Sequence, residues 1–327
     1  MKSINKYYIF FILFLLLSAA CSDDINKEGP IGKTLKNDCL KRSIGPNVTG
    51  NDIEFVYAMA LPRDKGKLLS ATVEATIPGA NGTYMEHRSA HTGGSGQDEW
   101  VDIGNPCVNT GGKTEVIFTT DTCAAALRYY YIIPETAKGM DVSFTFTVSA
   151  SNGETVSYKM GPYTISKMDM KLNMAVSDGD NCYISIADMA VYNETEAAAN
   201  AAKIDLVYLY RSIPGITFGH AYVSPATEQQ YRPGVILPTG VNSSSLIRKA
   251  YGVDDRHLAD LQYGVYVDDI DLETLDFSNM PNYALNMLNR SGMWVETQDG
   301  KYRAYIYVNS INAAGSAVIS MKRLTVE

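Results

Sequence analysis

The feature that most constrains this chain is a two-residue alternation of apolar and polar side chains, repeated in short runs. Residues 142–148 read Val-Ser-Phe-Thr-Phe-Thr-Val. Residues 68–77 place Ala71, Val73, Ala75 and Ile77 on one side and Thr72, Glu74 and Thr76 on the other. Alternate residues of an extended chain face opposite ways, so each run predicts a strand with one buried face. Pro78-Gly79, Asn81-Gly82 and Asn152-Gly153 are turn signals between such runs. Further strands are expected at 53–61, 100–103, 114–118, 124–133 and 156–165. Short strands broken by frequent turns predict a β-sandwich of immunoglobulin-like type over residues 52–166. No Cys…Trp…Cys framework of the antibody kind is present.

After a junction at 166–171 the pattern stays β-dominated, with a few short helices. Strands are expected at 172–176, 182–186, 204–211, 218–223, 301–308 and 317–323. Residues 193–203 are the clearest helix: Asn193 can cap it, and Glu196 three places on completes a capping box. Two more short helices are expected at 244–251 and 281–288. The fold class is therefore mainly β, with two sandwich-like domains at 52–166 and 167–327.

The N-terminus carries an address. Lys2 and Lys6 precede an unbroken apolar run at 7–17. Eleven helical residues reach about 16 Å, half of a bilayer core, so the run reads as the apolar part of a signal peptide at 1–20. Leu17-Ser18-Ala19-Ala20-Cys21 resembles the lipobox of bacterial lipoproteins, with Ser18 in the place where that family usually has Leu. The resemblance implies acylation of Cys21 and cleavage before it. The Ser22-Asp23-Asp24 that follows resembles the surface-export signal of Bacteroidota-type lipoproteins, which implies an outer-membrane anchor and a surface-exposed protein. Residues 21–51 are then expected to be a polar tether. A net charge of −8 gives no basic surface for nucleic acid.

Four cysteines follow the anchor: Cys39, Cys107, Cys123 and Cys182. No Cys-x-x-Cys pair or Cys/His spacing points to zinc, and no cofactor motif is present. An exported chain can hold disulfides. Cys107 with Cys123 is one pairing, and buried free thiols are the other reading.

The acidic residues are densest between Asp254 and Asp276, where Asp255, Asp260, Asp268, Asp269, Asp271 and Glu273 also lie. Such a run can hold calcium or supply the paired carboxylates of a glycoside hydrolase, but its alternation with Ile270, Leu272 and Leu275 also fits a strand or turn with a solvated face. The 22 tyrosines outnumber 9 phenylalanines and 2 tryptophans. Tyrosine offers an apolar ring and a polar tip, which suits amphipathic binding edges. Trp100, Tyr129, Tyr131 and Trp294 are the candidate ligand-binding residues.

Residues 53–62, 127–134, 157–167, 204–211 and 301–309 together resemble a group of uncharacterised Bacteroidota lipoproteins of similar length. The resemblance implies a two-part, β-rich envelope lipoprotein and carries no activity or site residues. The function expected from residues and resemblance together is a non-catalytic binding module at the cell surface, with a glycan as ligand and the membrane as partner through the lipid anchor. A structural or adhesive role toward a surface protein is the alternative, and a carboxylate-dependent hydrolase comes last.

Overall fold

A computed structural model describes residues 33–259 and 261–326. The signal peptide, Cys21 and Ser22-Asp23-Asp24 lie outside the described residues, as does Asp260.

The first domain is a sandwich of two antiparallel sheets. One runs in the order β1 (Lys36–Lys41), β2 (Asp52–Ala60), β9 (Ala124–Ile132), β4 (Tyr84–Met85). The other runs β11 (Thr155–Thr164), β10 (Asp141–Ala150), β3 (Leu68–Ala75), β8 (Lys113–Ile117), β7 (Val108–Thr110). A ribbon of β5 (Arg88–Thr92) and β6 (Asp98–Asp102) lies over β9, where Ser89 accepts the Ala126 amide at 3.0 Å. The strand at β10 follows directly from its sequence: every second residue from Val142 to Ala150 is buried. Phe144 and Phe146 pack there against Phe55, with ring centroids at 4.8 and 5.3 Å.

Part of the expected tether belongs to this sandwich. Residues 36–41 pair with β2 in register, Lys36 opposite Ala60 and Lys41 opposite Phe55. Buried Leu35 and Cys39 supply the apolar contacts that hold an otherwise polar segment in place. The four described cysteines are all free thiols, so Cys107 and Cys123 form no disulfide.

The second domain repeats the two-sheet plan. One sheet runs β12 (Asp169–Ser177), β21 (Ser316–Thr325), β20 (Tyr302–Ile311), β19 (Ser291–Glu296), β17 (Leu246–Tyr251). The other runs β14 (Ala190–Tyr192), β13 (Tyr183–Ser185), β15 (Leu206–Ile213), β16 (Ile216–Val223), β18 (Tyr283–Met287). Among the described residues three short α-helices accompany them: α1 (Glu194–Ala199), α2 (Arg256–Ala259) and α3 (Asp269–Thr274). Helix α1 has the expected capping box between Asn193 and Glu196.

The helices expected at 244–251 and 281–288 are instead the strands β17 and β18. In β17 the buried residues Ile247 and Ala250 stand three apart, which imitates a helical stripe. They point to opposite faces: Ile247 enters the core between the sheets, and Ala250 enters a separate cluster on the outer face of β20 and β21. In β18 the buried pair Ala284 and Met287 also stand three apart, because the ladder with β16 shifts register and Asn286 takes φ 52°.

Among its described residues the acidic run forms the short helices α2 and α3 with turns between them, not a strand. Residues 253–259 and 261–277 fold over the outer face of β20 and β21 and bury Leu258, Val267 and Leu272 there. Asp255 and Lys322 are both fully buried and paired at 2.7 Å. Asp255 also accepts the amides of His257, Leu258 and Val267 at 2.9, 3.0 and 2.6 Å. Asp268 caps α3. Asp269 accepts the hydroxyl of Ser166 at 2.7 Å and so ties this segment to the junction between the domains.

Candidate functional site

The four aromatic candidates are not brought together. Tyr129 and Tyr131 face inward on β9 and are 1 % and 0 % exposed. Tyr129 lies edge-on to Phe144 and Phe146, and Tyr131 donates to the Ile77 carbonyl at 3.0 Å. Both are core residues, a correction to their expected binding role. The alternation is real, but the wet tyrosine is the middle one: Tyr130 stacks on exposed Tyr84 at 4.8 Å. Trp100 is 38 % exposed on β6, and its ring is engaged by the guanidinium groups of Arg88 and Arg128 at 5.4 and 5.9 Å. Arg128 is itself buried and paired with Glu54 and Asp98 at 2.7 and 2.9 Å. Trp100 therefore lies over an ion network centred on buried Arg128.

Trp294 does border an open groove. It is half-buried on β19, opposite Arg248 of β17 and Tyr305 of β20. Its ring rests on that of Tyr305 at 4.5 Å. Tyr305 can lie flat because its neighbour is Gly292, where a side chain would collide with the phenol. Asp271, Thr274 and Asp276 form the opposite wall. Hydrogen bonds from Ser278 hold Asp276 below the usual carboxylate range. The Arg248 side chain makes no hydrogen bond or ion pair among the described residues.

A larger cleft, about 650 Å³, opens on the other side of the second domain. Four separate segments build it: the turn at 187–188, the 3₁₀ turn Ala201–Lys203 with Asp205, residues 242–243, and the β19–β20 hairpin at 297–302. Asp205 forms its buried floor. It accepts the Ile186 amide at 2.8 Å and the Ser245 hydroxyl at 3.2 Å. Burial raises its carboxyl to about 6, against the pull of those two bonds. In the hairpin, Asp299 accepts from the Thr297 hydroxyl at 2.7 Å and the Lys301 amide at 3.0 Å, which holds it below the usual range. Asp188 is paired with Lys203 at 2.9 Å. Gln298 accepts the Ser244 amide at 2.8 Å through its carbonyl oxygen, which leaves its NH₂ as a donor. Asn242 is exposed, and its side chain makes no hydrogen bond among the described residues. Tyr302 closes one end, its ring held by Arg323 and Lys301 at 5.0 and 5.2 Å.

This set offers hydrogen-bond acceptors and donors at a concave surface. Sequence reasoning missed it because its members are far apart along the chain. One signal was available: Asp205 interrupts the apolar run 204–211, and an acid inside a buried strand entry needs a partner. Among the described residues no group of three or more His, Cys, Asp or Glu side chains is placed to hold a metal ion.

Comparison with known proteins agrees on family and is silent on activity. A domain of unknown function, DUF4466, matches residues 32–165, and a second, DUF8576, matches residues 166–326. A crystal structure of a DUF4466 family protein from Parabacteroides merdae is 46 % identical, with a TM-score of 0.85, over 90 % of this chain and 99 % of that one. The chain belongs to the DUF4466 family. No curated protein matches it. Similarity beyond the family is slight: the major pilin BcpA of Bacillus cereus is 8 % identical with a TM-score of 0.29, over 88 % of this chain and 66 % of that one. The collagen-binding subdomain of the Enterococcus faecalis surface protein ACE is 10 % identical with a TM-score of 0.22, over 39 % of this chain and 93 % of that one. At such scores neither bears on what this DUF4466 protein does. The two family models meet between Ile165 and Ser166, beside the Ser166–Asp269 contact that joins the domains.

Proposed function

We propose that this protein is an outer-membrane-anchored surface lipoprotein that binds a glycan, without catalysis, in the cleft floored by Asp205. The observation that carries the reading is the cleft itself: about 650 Å³, open, and lined by Asp205, Asp299, the amide of Asn242 and the NH₂ of Gln298. Carboxylates and side-chain amides accept from and donate to ring hydroxyls, and a few such groups fix orientation in a concave site. The anchor rests on the signal-like run at 7–17 and Cys21. The non-catalytic part of the reading rests on the commitments of the carboxylates. In the acidic run Asp255, Asp268 and Asp269 cap or tie backbone, and Asp254 is paired with Arg290 at 2.7 Å.

The test is a glycan array probed with residues 21–327 carrying Cys21→Ser, with and without calcium. A reproducible hit that Asn242→Ala with Gln298→Ala weakens at least tenfold supports the cleft, provided the melting temperature holds. Loss with Trp294→Ala instead would move the site to the groove on β19. Trp100→Ala is expected to leave binding unchanged. A blank array with folded protein would sink the glycan reading and favour an adhesive, protein-binding role.

A further inference from the structure

The first domain has two unlike poles. Register fixes which loops share each one. Lys36 lies opposite Ala60, Ala60 opposite Ala124, and Leu68 opposite Ala150, so residues 33–36, 60–68, 121–124 and 150–155 form one end of the sandwich. Hydrogen bonds knit them together: Leu61 to Cys123 at 2.8 Å, Leu68 to Thr122 at 2.9 Å and Ser151 to Lys67 at 2.9 Å. The second domain joins at the opposite end. There Ser166 donates to the Asn47 carbonyl at 2.8 Å, Lys138 pairs with Asp169, and a side chain at Gly45 would strike the ring of Tyr266. Strands of nine or ten residues separate the two poles by roughly 30 Å.

The described chain enters at the first pole, where Glu154 clamps it. Its carboxylate accepts the Thr34 and Leu35 amides at 3.1 and 2.7 Å. Around that entry stand five exposed cations: Lys33, Lys36, Arg63, Lys65 and Lys67. The acids beside them are Asp64, which pairs with Lys65 at 3.3 Å, Asp121, and Glu154, whose carboxylate the backbone occupies. This is a locally basic end on a chain whose net charge is −8.

We infer that this pole is a docking surface for the anionic headgroups of the membrane, with Arg63 and Lys67 as principal contacts and the second domain held away from the bilayer. The placement rests on the lipoprotein reading, because Lys33 lies only twelve positions after Cys21, a reach of at most about 40 Å. In that stretch Asp23, Asp24 and Glu28 outweigh Lys27 and oppose docking, and salt screens the attraction between exposed charges, so the contact is salt-sensitive. Each Lys or Arg near an anionic surface adds measurably to attachment, and reversing two of them reverses that gain.

The test removes the anchor and keeps the pole. Residues 21–327 with Cys21→Ser are sedimented at low salt with vesicles of phosphatidylcholine alone or with phosphatidylglycerol. Binding is expected only with phosphatidylglycerol, and Arg63→Glu with Lys67→Glu is expected to weaken it at least tenfold. Lys159→Glu with Lys171→Glu, placed away from the pole, is expected to change it less than twofold. No dependence on phosphatidylglycerol, or equal losses in both variants, would overturn the inference. Acylation is read separately, by fatty-acid labelling of the unmodified chain and of Cys21→Ser in cells. A failure there removes the anchor and leaves the vesicle result standing.

Discussion

Both domains bury large rings, but among the described residues the first buries one charged side chain, Arg128, whereas the second buries several. Phe55, Tyr129, Phe144 and Phe146 form one continuous aromatic cluster between the first pair of sheets, and the tyrosine hydroxyls reach its rim. The second domain buries Asp205, Asp255, His220 and Lys322, each with polar partners. A core of rings gains from every square ångström removed from water and tolerates few openings. A core with charged members depends on pairing, because a buried charge without its partner is costly. The Asp205 cleft and the Trp294 groove both lie in this second domain.

The contrast can be broken first at its cores. Phe144→Ala should cost about 3–5 kcal/mol, read by chemical denaturation, because it opens a cavity among rings that cannot collapse into it. Lys322→Met should cost a similar ~3–5 kcal/mol for a different reason: it strands a buried carboxylate at Asp255. Two separate transitions would show that each core fails alone. A neutral Lys322→Met would contradict the dependence on pairing.

The pH response sharpens the picture at smaller cost. Burial raises Asp205 to about 6, so the folded state holds a proton there that the unfolded state has lost. This contribution is complete below about pH 4 and is lost as pH rises through 6, by about 3 kcal/mol at most. Burial and neighbouring Lys322 depress His257 to about 4, so its contribution has the opposite sign and is lost as pH falls from 6.5 toward 4. The two nearly offset in the parent chain. Asp205→Asn should therefore steepen the rise of stability between pH 4 and 6.5, and His257→Gln should turn it into a fall. Identical slopes in all three proteins would sink both assignments. The smallest effect is expected for Tyr131→Phe, about 1 kcal/mol, since only the hydrogen bond to Ile77 is removed and the ring stays in place.

Much of the architecture was legible because local pattern and tertiary environment agree. The alternation at 142–148 and the box at Asn193–Glu196 need nothing beyond their own neighbours to define a strand and a helix start. The same rules failed where burial came from two sides or from a bulge. Ile247 and Ala250 of β17 serve two different clusters, and Asn286 breaks the period of β18, so both strands carried a helical spacing. Tyrosine count misled in a similar way. A phenol can sit in a core when its hydroxyl reaches a carbonyl, and sequence does not say which carbonyl is near.

By itself the sequence determined the β class, the break near residue 166 and the turns, because these follow from backbone geometry and from the period of the side chains. Tertiary structure alone decided that residues 36–41 are a strand, that the acidic run is a cover stapled by Asp255 and Lys322, and that Asp205, Asn242 and Gln298 share one cleft. Those outcomes depend on partners many residues away. A contact between distant segments is fixed by the packing of whole sheets, and no local window contains it.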